Sequence, residues 1–428
     1  MPSSSSDKTS IAATGRTRAF AVLLLLTGLN ILSFADRFLL QAFAVDIVAD
    51  LRLSNLQFTL LTGFVFTLFY TLMGLLMGLL ADRCHRPRLM AAGLALWSAL
   101  TALTGAARNA LQITLARMFV GVGEATLTPS ALGLLGDVFP RRHRAFAAGC
   151  YYLGAPVGIG GAFILAGTAG AAAGWRHCFL ALGAIGLGLT LLLLLLREPR
   201  TVRPRAASAA PWGLRGQVAE LFGRLRASPA LCLVFLGGLL VIFAQGALVL
   251  DQLWLVQERG FSKTAAQKLA GGVFLLGGIA GALGGGLLSD LMQARRRGGR
   301  LYGLVLIYAV GTPLSLYYRF ADPHGALFYV CMLIGSATVT AGYGPLFASV
   351  QDLVPDRVRS SMIGLFALAL SLFGTSAGNL LVGWLADFLR SAQLREPLTW
   401  AALIGLMPGL LAIPCFHLAA RWAEHSAD

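Results

Sequence analysis

Four ionisable residues stand inside long apolar runs: Asp36 and Arg37 in the first, Arg117 and Glu124 in the fourth. Charge within the hydrocarbon of a bilayer is costly, and such residues face a bundle interior or a water-filled path, where they relay protons or hold a substrate. Arg117 and Glu124 are seven positions apart. At about 100° per residue they share one helix face, and a rise of ~1.5 Å per residue separates them by roughly 10 Å. A direct ion pair would need both side chains fully extended, so the spacing favours separate partners. Gly121 and Gly123 lie between them and admit a neighbouring helix or a ligand, and Pro129 further along can bend the helix. Asp36, midway along its own run, could face Arg117 or Glu124. Its proton affinity would then change with conformation, as a proton-carrying acid requires. Adjacent residues point about 100° apart, so Arg37 pairs with another group or forms a gate with Asp36. The bland alternative is a structural network tying the first and fourth helices together.

The elements that position these residues follow from composition. The chain has 428 residues, is 57% hydrophobic and only 12% charged, and has a mean hydropathy of +0.74. A soluble chain this apolar would expose large sticky patches. A membrane-spanning helix needs about 20 apolar residues, and twelve runs qualify: 19–46, 56–80, 88–107, 110–136, 145–170, 173–196, 229–256, 264–290, 301–320, 325–352, 358–386 and 398–420. The 51 glycines suit close helix packing in lipid. The net charge of +15 could suggest nucleic acid, but most Lys and Arg fall in the loops on one side. That bias predicts that both termini are cytoplasmic, and the basic loops are expected to touch anionic membrane lipids. Nucleic-acid binding is therefore not expected. The six cysteines are scattered, with no metal-ligand spacing. No P-loop, HExxH or triad arrangement is legible, so neither a cofactor nor a catalytic function is expected.

The chain divides into two related halves. Residues 1–18 read as a polar, unstructured cytoplasmic tail, 19–196 as one six-helix bundle, 197–228 as a cytoplasmic linker, 229–421 as a second bundle and 422–428 as a short tail. Within the linker, Trp212, Leu214, Val218, Leu221, Phe222 and Leu225 recur at helical spacing between arginines, which predicts an amphipathic surface helix. Asp137-x-x-Pro140-x-Arg142-x-Arg144 returns 215 residues later as Asp352-x-x-Pro355-x-Arg357-x-Arg359. Gly78-Leu79-Leu80-Ala81-Asp82 returns as Gly286-Leu287-Leu288-Ser289-Asp290. The expected fold is an all-α membrane protein, with twelve transmembrane helices in two pseudo-symmetric bundles, as in the major facilitator architecture.

Specific motifs sharpen that expectation. Gly78 to Arg88, with Asp82, Arg83 and Arg86, resembles the facilitator signature G-x-x-x-D-R-x-x-R-[RK], departing from it at Pro87. The resemblance implies that Asp82 caps a neighbouring helix and pairs with cytoplasmic arginines. Gly78, Asp82, Arg83, Arg86, Asp137, Arg142, Arg144, Asp290, Asp352, Arg357 and Arg359 would together form a cytoplasmic gate. Ala116-Arg117-x-x-Val120-Gly121-Val122-Gly123-Glu124-Ala125 is similar to the fourth-helix motif of the Spinster family of lipid transporters, and Ala35-Asp36-Arg37-Phe38 resembles its first-helix D-R-F. Ser33-Phe34 replaces the usual Asn-Tyr, and Ala155-Pro156-Val157-Gly158 resembles the family's I-P-V-G. The resemblance covers the N-terminal half and implies that Asp36, with Glu124, couples protons, while Arg117, Glu124 and Arg37 shape the substrate site.

In the second half only Asp251 stands out as a buried charge, near an outer helix end where a gate or interfacial role is expected. Val339 and Met332 occupy the positions equivalent to Glu124 and Arg117, which predicts an apolar wall opposite the polar one. These readings point to a proton-coupled transporter of a lysophospholipid or related amphipathic anion, acting as a monomer. Low Lys with high Arg and Ala suggests a bacterial inner membrane. A multidrug/proton antiporter, a small organic-anion symporter and a non-transporting receptor are the alternatives.

Overall fold

The computed structural model of the chain describes residues 5–140, 144–196, 214–296 and 298–425. Among them every regular element is a helix. Twelve are long and apolar enough to span a membrane: α1 Ala19–Ala42, α2 Asn55–Gly78, α3 Arg86–Ala106, α4 Ala110–Val138, α5 Ala147–Gly167, α6 Ala169–Leu194, α7 Pro229–Gln257, α8 Lys263–Arg295, α9 Gly299–Tyr317, α10 Ala326–Asp352, α11 Ser361–Ser391 and α12 Pro397–Glu424. Their starts follow from local chemistry. Ser54, Asn109, Ser228 and Ser262 each accept a hydrogen bond from the first turn that follows, satisfying N–H groups that a helix start leaves unpaired. The linker forms a helix over Leu214–Ala227. One expectation changes: the first helix extends N-terminally to Ser5, so most of the polar tail is helical rather than unstructured. Nothing in 5–18 stops it, because the stretch has no proline and a single glycine, Gly15.

The two halves meet along α2 with α11 and along α5 with α8. Glycines bring backbones into contact there, as in other membrane helix pairs. A Cβ on Gly160 would lie 2.9 Å from the Gly271 carbonyl, and one on Gly271 would lie 3.0 Å from the Gly160 carbonyl. The described hydrogen bonds that join the halves all lie at one end of the molecule, distal to the face that carries the termini. Lys263 Nζ donates to Asp46 at 2.6 Å, Gln267 Nε2 to the Ala42 carbonyl at 2.9 Å, and the start of α2 to Asp387. The distal face is thus sealed. At the terminal face, the described ion pairs Arg86–Asp137 and Arg300–Asp352 each stay within one half.

Candidate transport site

α4 is continuous to Glu124, breaks at Ala125–Thr126 and resumes as Leu127–Val138. Pro129 has no N–H to give the Ala125 carbonyl, which accounts for a break at this point. The glycines between the two charged residues serve helix packing rather than a ligand. A Cβ on Gly121 would lie 2.9 Å from the Phe66 carbonyl of α2, and one on Gly123 would lie 2.8 Å from the Gly93 carbonyl of α3. The approach at Gly121 holds α2 beside the face of α4 that carries Arg117 and Glu124, and Gly123, about 100° round the helix from Glu124, holds α3.

The fold brings the four charges together inside the N-terminal half. Asp36, Arg117 and Glu124 are each 1% exposed. Asp36 accepts from Thr101 Oγ1 at 2.8 Å and from Arg117 Nη1 at 3.5 Å. Glu124 Oε2 accepts from Ser33 Oγ at 2.9 Å and from Arg37 Nε. Each charged residue of α4 therefore pairs with a neighbour on α1, and Arg117 and Glu124 do not pair with each other. Phe66 of α2 lies between the two arginines, 4.8 Å from Arg37 Cζ and 5.2 Å from Arg117 Cζ. Tyr70 lies 4.3 Å from Arg37, so aromatic faces solvate the guanidinium groups where water is scarce. Two buried polar atoms are left without a partner, Glu124 Oε1 and Arg117 Nε. An unsatisfied polar atom is expensive in this setting. Arg37 differs from the other three in keeping 20% of its side chain exposed.

The C-terminal half corrects one expectation. Asp251 is not its lone buried charge, because Arg319, fully buried beyond the end of α9, donates to it at 2.6 Å, and Tyr318 donates at 3.2 Å. This half's interior is mostly apolar, as expected, with polar groups set into it. Met332 and Val339 do line its cavity, of about 60 Å³, but so do Gln245, Thr312, Ser315 and Thr338, with Asp251 at one end. A volume this large accommodates several waters. Hydroxyls paired to their own helix backbone, such as Ser315 on Gly311 and Thr338 on Ile334, retain lone pairs. Single-position hydropathy misses such a lining.

At the terminal face, Arg86 pairs with Asp137, and Arg300 pairs with Asp352 and reaches Asp290 at 3.6 Å. Arg359 donates to the Gln351 carbonyl at 3.2 Å, and Gly78 has open space beside it. Arg300, which matches the role of Arg86 in the other half, was hidden in a basic run. Arg142 lies outside the described residues, as do the side chains of Asp82, Arg83, Arg144 and Arg357.

Residues 26–379 match the profile of the Major Facilitator Superfamily. The chain belongs to that superfamily. It is a multi-pass membrane transporter and not an enzyme. Among its relatives is an MFS-type efflux pump of Mycolicibacterium smegmatis, 28% identical over 379 residues that cover 88% of this chain and 86% of the pump. Protein spinster homolog 1 of Homo sapiens is 27% identical over 398 residues, 87% of this chain and 74% of that protein. The fold is that of a bacterial homolog of the human lysosomal transporter Spinster, solved in an inward-facing and unoccupied conformation. The TM-score is 0.78 and the identity 24%, over 95% of this chain and 97% of the other.

Proposed function

We propose that this facilitator is a proton-coupled secondary transporter that moves a lysophospholipid or a related amphipathic anion by alternating access. The observation that carries the reading is the double ion pair Asp36–Arg117 and Arg37–Glu124 around Phe66. With all four groups ionised, the cluster is neutral. A proton on Asp36 or Glu124 leaves a guanidinium uncompensated in a low-dielectric interior, which is costly unless an anion arrives with it. Proton and anion then favour each other's binding. Arg37, the partly exposed member, is the group a head group meets first, and binding would draw it away from Glu124. Asp36 is the coupling acid in this reading, Glu124 the acid freed by substrate, and Arg117 the buried counter-charge. The cavity of the other half, mostly apolar with hydroxyls of Thr312, Ser315 and Thr338 in its wall, can take part of an amphipathic substrate.

The distribution of Lys and Arg supports cytoplasmic termini in a bacterial inner membrane. The sealed distal face then makes this an inward-open arrangement. The signature residues from Gly78 to Arg88 and their partners would close the cytoplasmic side in the opposite state. A monomer suffices for this cycle.

The test is substrate-dependent proton flux in proteoliposomes with a lysophospholipid, a cationic drug and a small organic anion. The expected outcome is flux with the lysophospholipid, lost in Asp36→Asn. Full pH-driven transport by that variant would refute the coupling assignment. The similarity to an efflux pump favours one second reading, a multidrug/proton antiporter. That reading predicts flux with the cationic drug, in the opposite sense, without need of Arg117.

A further inference from the structure

α2 and α11 cross between the halves, antiparallel, as a short zipper on the sealed distal side. Its rungs recur every four residues on both helices. Asn55, Thr59 and Gly63 face Asp387, Gly383 and Asn379 in turn. The approach is close: a Cβ on Gly383 would run into Thr59 Oγ1, and one on Gly63 into the Asn379 side-chain amide. At the zipper's inner end each helix turns π-helical, over Leu60–Val65 in α2, which holds the Gly63 rung, and over Leu370–Ser376 in α11, just past Asn379. Such segments are uncommon and mark functional bends.

The end rung carries charge. Asp387 Oδ1 accepts from Asn55 N at 3.1 Å and Asn55 Nδ2 at 2.8 Å, and Oδ2 accepts from Leu56 N at 2.8 Å. The first N–H groups of any helix lack intrahelical partners. Ser54 satisfies Gln57 N at 3.1 Å, and Gln57 Oε1 satisfies Ser54 N at 2.9 Å. The two donors left over, on Asn55 and Leu56, are met by a carboxylate from the opposite half of the protein. The positive end of the α2 dipole adds to the attraction. A cap that belongs to the helix itself would be indifferent to how the halves sit. This one exists only while the distal face is closed.

We propose that Asp387 is the latch of the distal face, a positioning residue that holds this face shut by capping α2 across the two halves and that releases it when the transporter turns over. The proposal rests on the alternating-access reading but not on any substrate. It places a second carboxylate on the same helix pair, at the opposite end from Asp82. Each acid stands near the end of one helix, Asp82 on α2 and Asp387 on α11, and the α11 helix itself starts at Asp356, near the terminal face.

The test is the distance between spin labels at Arg52 and Ala392, on either side of the distal seam, in the full chain with its six cysteines replaced and without substrate. Wild type is expected to give one short distance. Asp387→Ala, which strands two helix-end donors, should shift the closed-to-open ratio by about tenfold or more, the scale of one charged hydrogen bond lost. Asp387→Asn keeps one acceptor and should shift it less. Asn55→Ala removes only the side-chain donor and should shift it least. Unchanged distances in monodisperse Asp387→Ala and Asp387→Asn would overturn the latch. Because no substrate is present, that failure is distinct from the loss of proton flux that tests the transport reading.

Discussion

Two clusters in this molecule are built from the same parts and are put to different uses. In the N-terminal half, Arg37 and Arg117 flank Phe66 beside Asp36 and Glu124. In the C-terminal half, Arg319 and Arg259 lie 4.4 Å and 5.0 Å from the Trp254 ring, beside Asp251, Glu258 and Glu396. The second cluster spends its bonds on helix ends. Glu258 accepts from Leu398 N at 2.7 Å, Thr399 N at 2.8 Å and Thr399 Oγ1 at 2.7 Å, capping α12. Trp254 Nε1 donates to Thr399 at 2.8 Å, and Arg259 donates to the Arg319 carbonyl. That arrangement ties α7, α9 and α12 into one body. The first cluster bonds side chain to side chain alone and keeps one arginine partly exposed, while both clusters leave buried atoms of their charged groups unpartnered. Charges bonded to backbone ends anchor; charges bonded only to one another can exchange partners.

The comparison can be broken in several ways. The largest expected effect is on stability in the C-terminal cluster. Arg319→Ala strands Asp251 and should cost about 3–5 kcal/mol, read as a fall in thermal unfolding temperature in detergent. Arg117→Ala should instead act on transport, raising KM for an anionic substrate about tenfold or more through loss of a charge-assisted contact. Uptake that stays unchanged would place Arg117 with the anchors. Asp36→Asn should abolish pH-driven flux, and because it leaves the buried Arg117 uncompensated it should also lower stability, by about 3 kcal/mol, with the neutral amide still accepting from Thr101. Gly123→Ala would press on the Gly93 carbonyl and the Trp97 Cβ, both at 2.8 Å, and should cost about 1–3 kcal/mol. The smallest effect is Glu258→Gln, which keeps one acceptor oxygen and should cost about 1 kcal/mol; a loss of coupling in this variant would erase the distinction between the clusters.

Parts of this picture were legible from local signals. Asp36, Arg37, Arg117 and Glu124 stand out because each breaks an apolar run, and the seven-residue spacing already argued that Arg117 and Glu124 have separate partners. Arg319 was not legible. It follows Tyr317-Tyr318 and precedes Asp322, where a charge reads as the polar end of a span, and only packing shows that it folds back onto Trp254. Arg300 sat among five other arginines and glycines of the 295–300 loop, so its pairing with Asp352 had no local mark. Asp387, beside a helix end, looked like an ordinary boundary charge, yet its partners are 331 and 332 residues away along the chain.

The sequence by itself determined the twelve helices, the duplicated halves and the charges inside the membrane, because helix formation, hydropathy and repeat spacing are properties of neighbouring residues. Tertiary structure alone decided which acid meets which arginine, which cluster anchors and which face is sealed. Those outcomes depend on how closely helices from distant parts of the chain approach, and that is set at contacts such as Gly123 on Gly93 and Gly383 on Thr59, which no local pattern specifies.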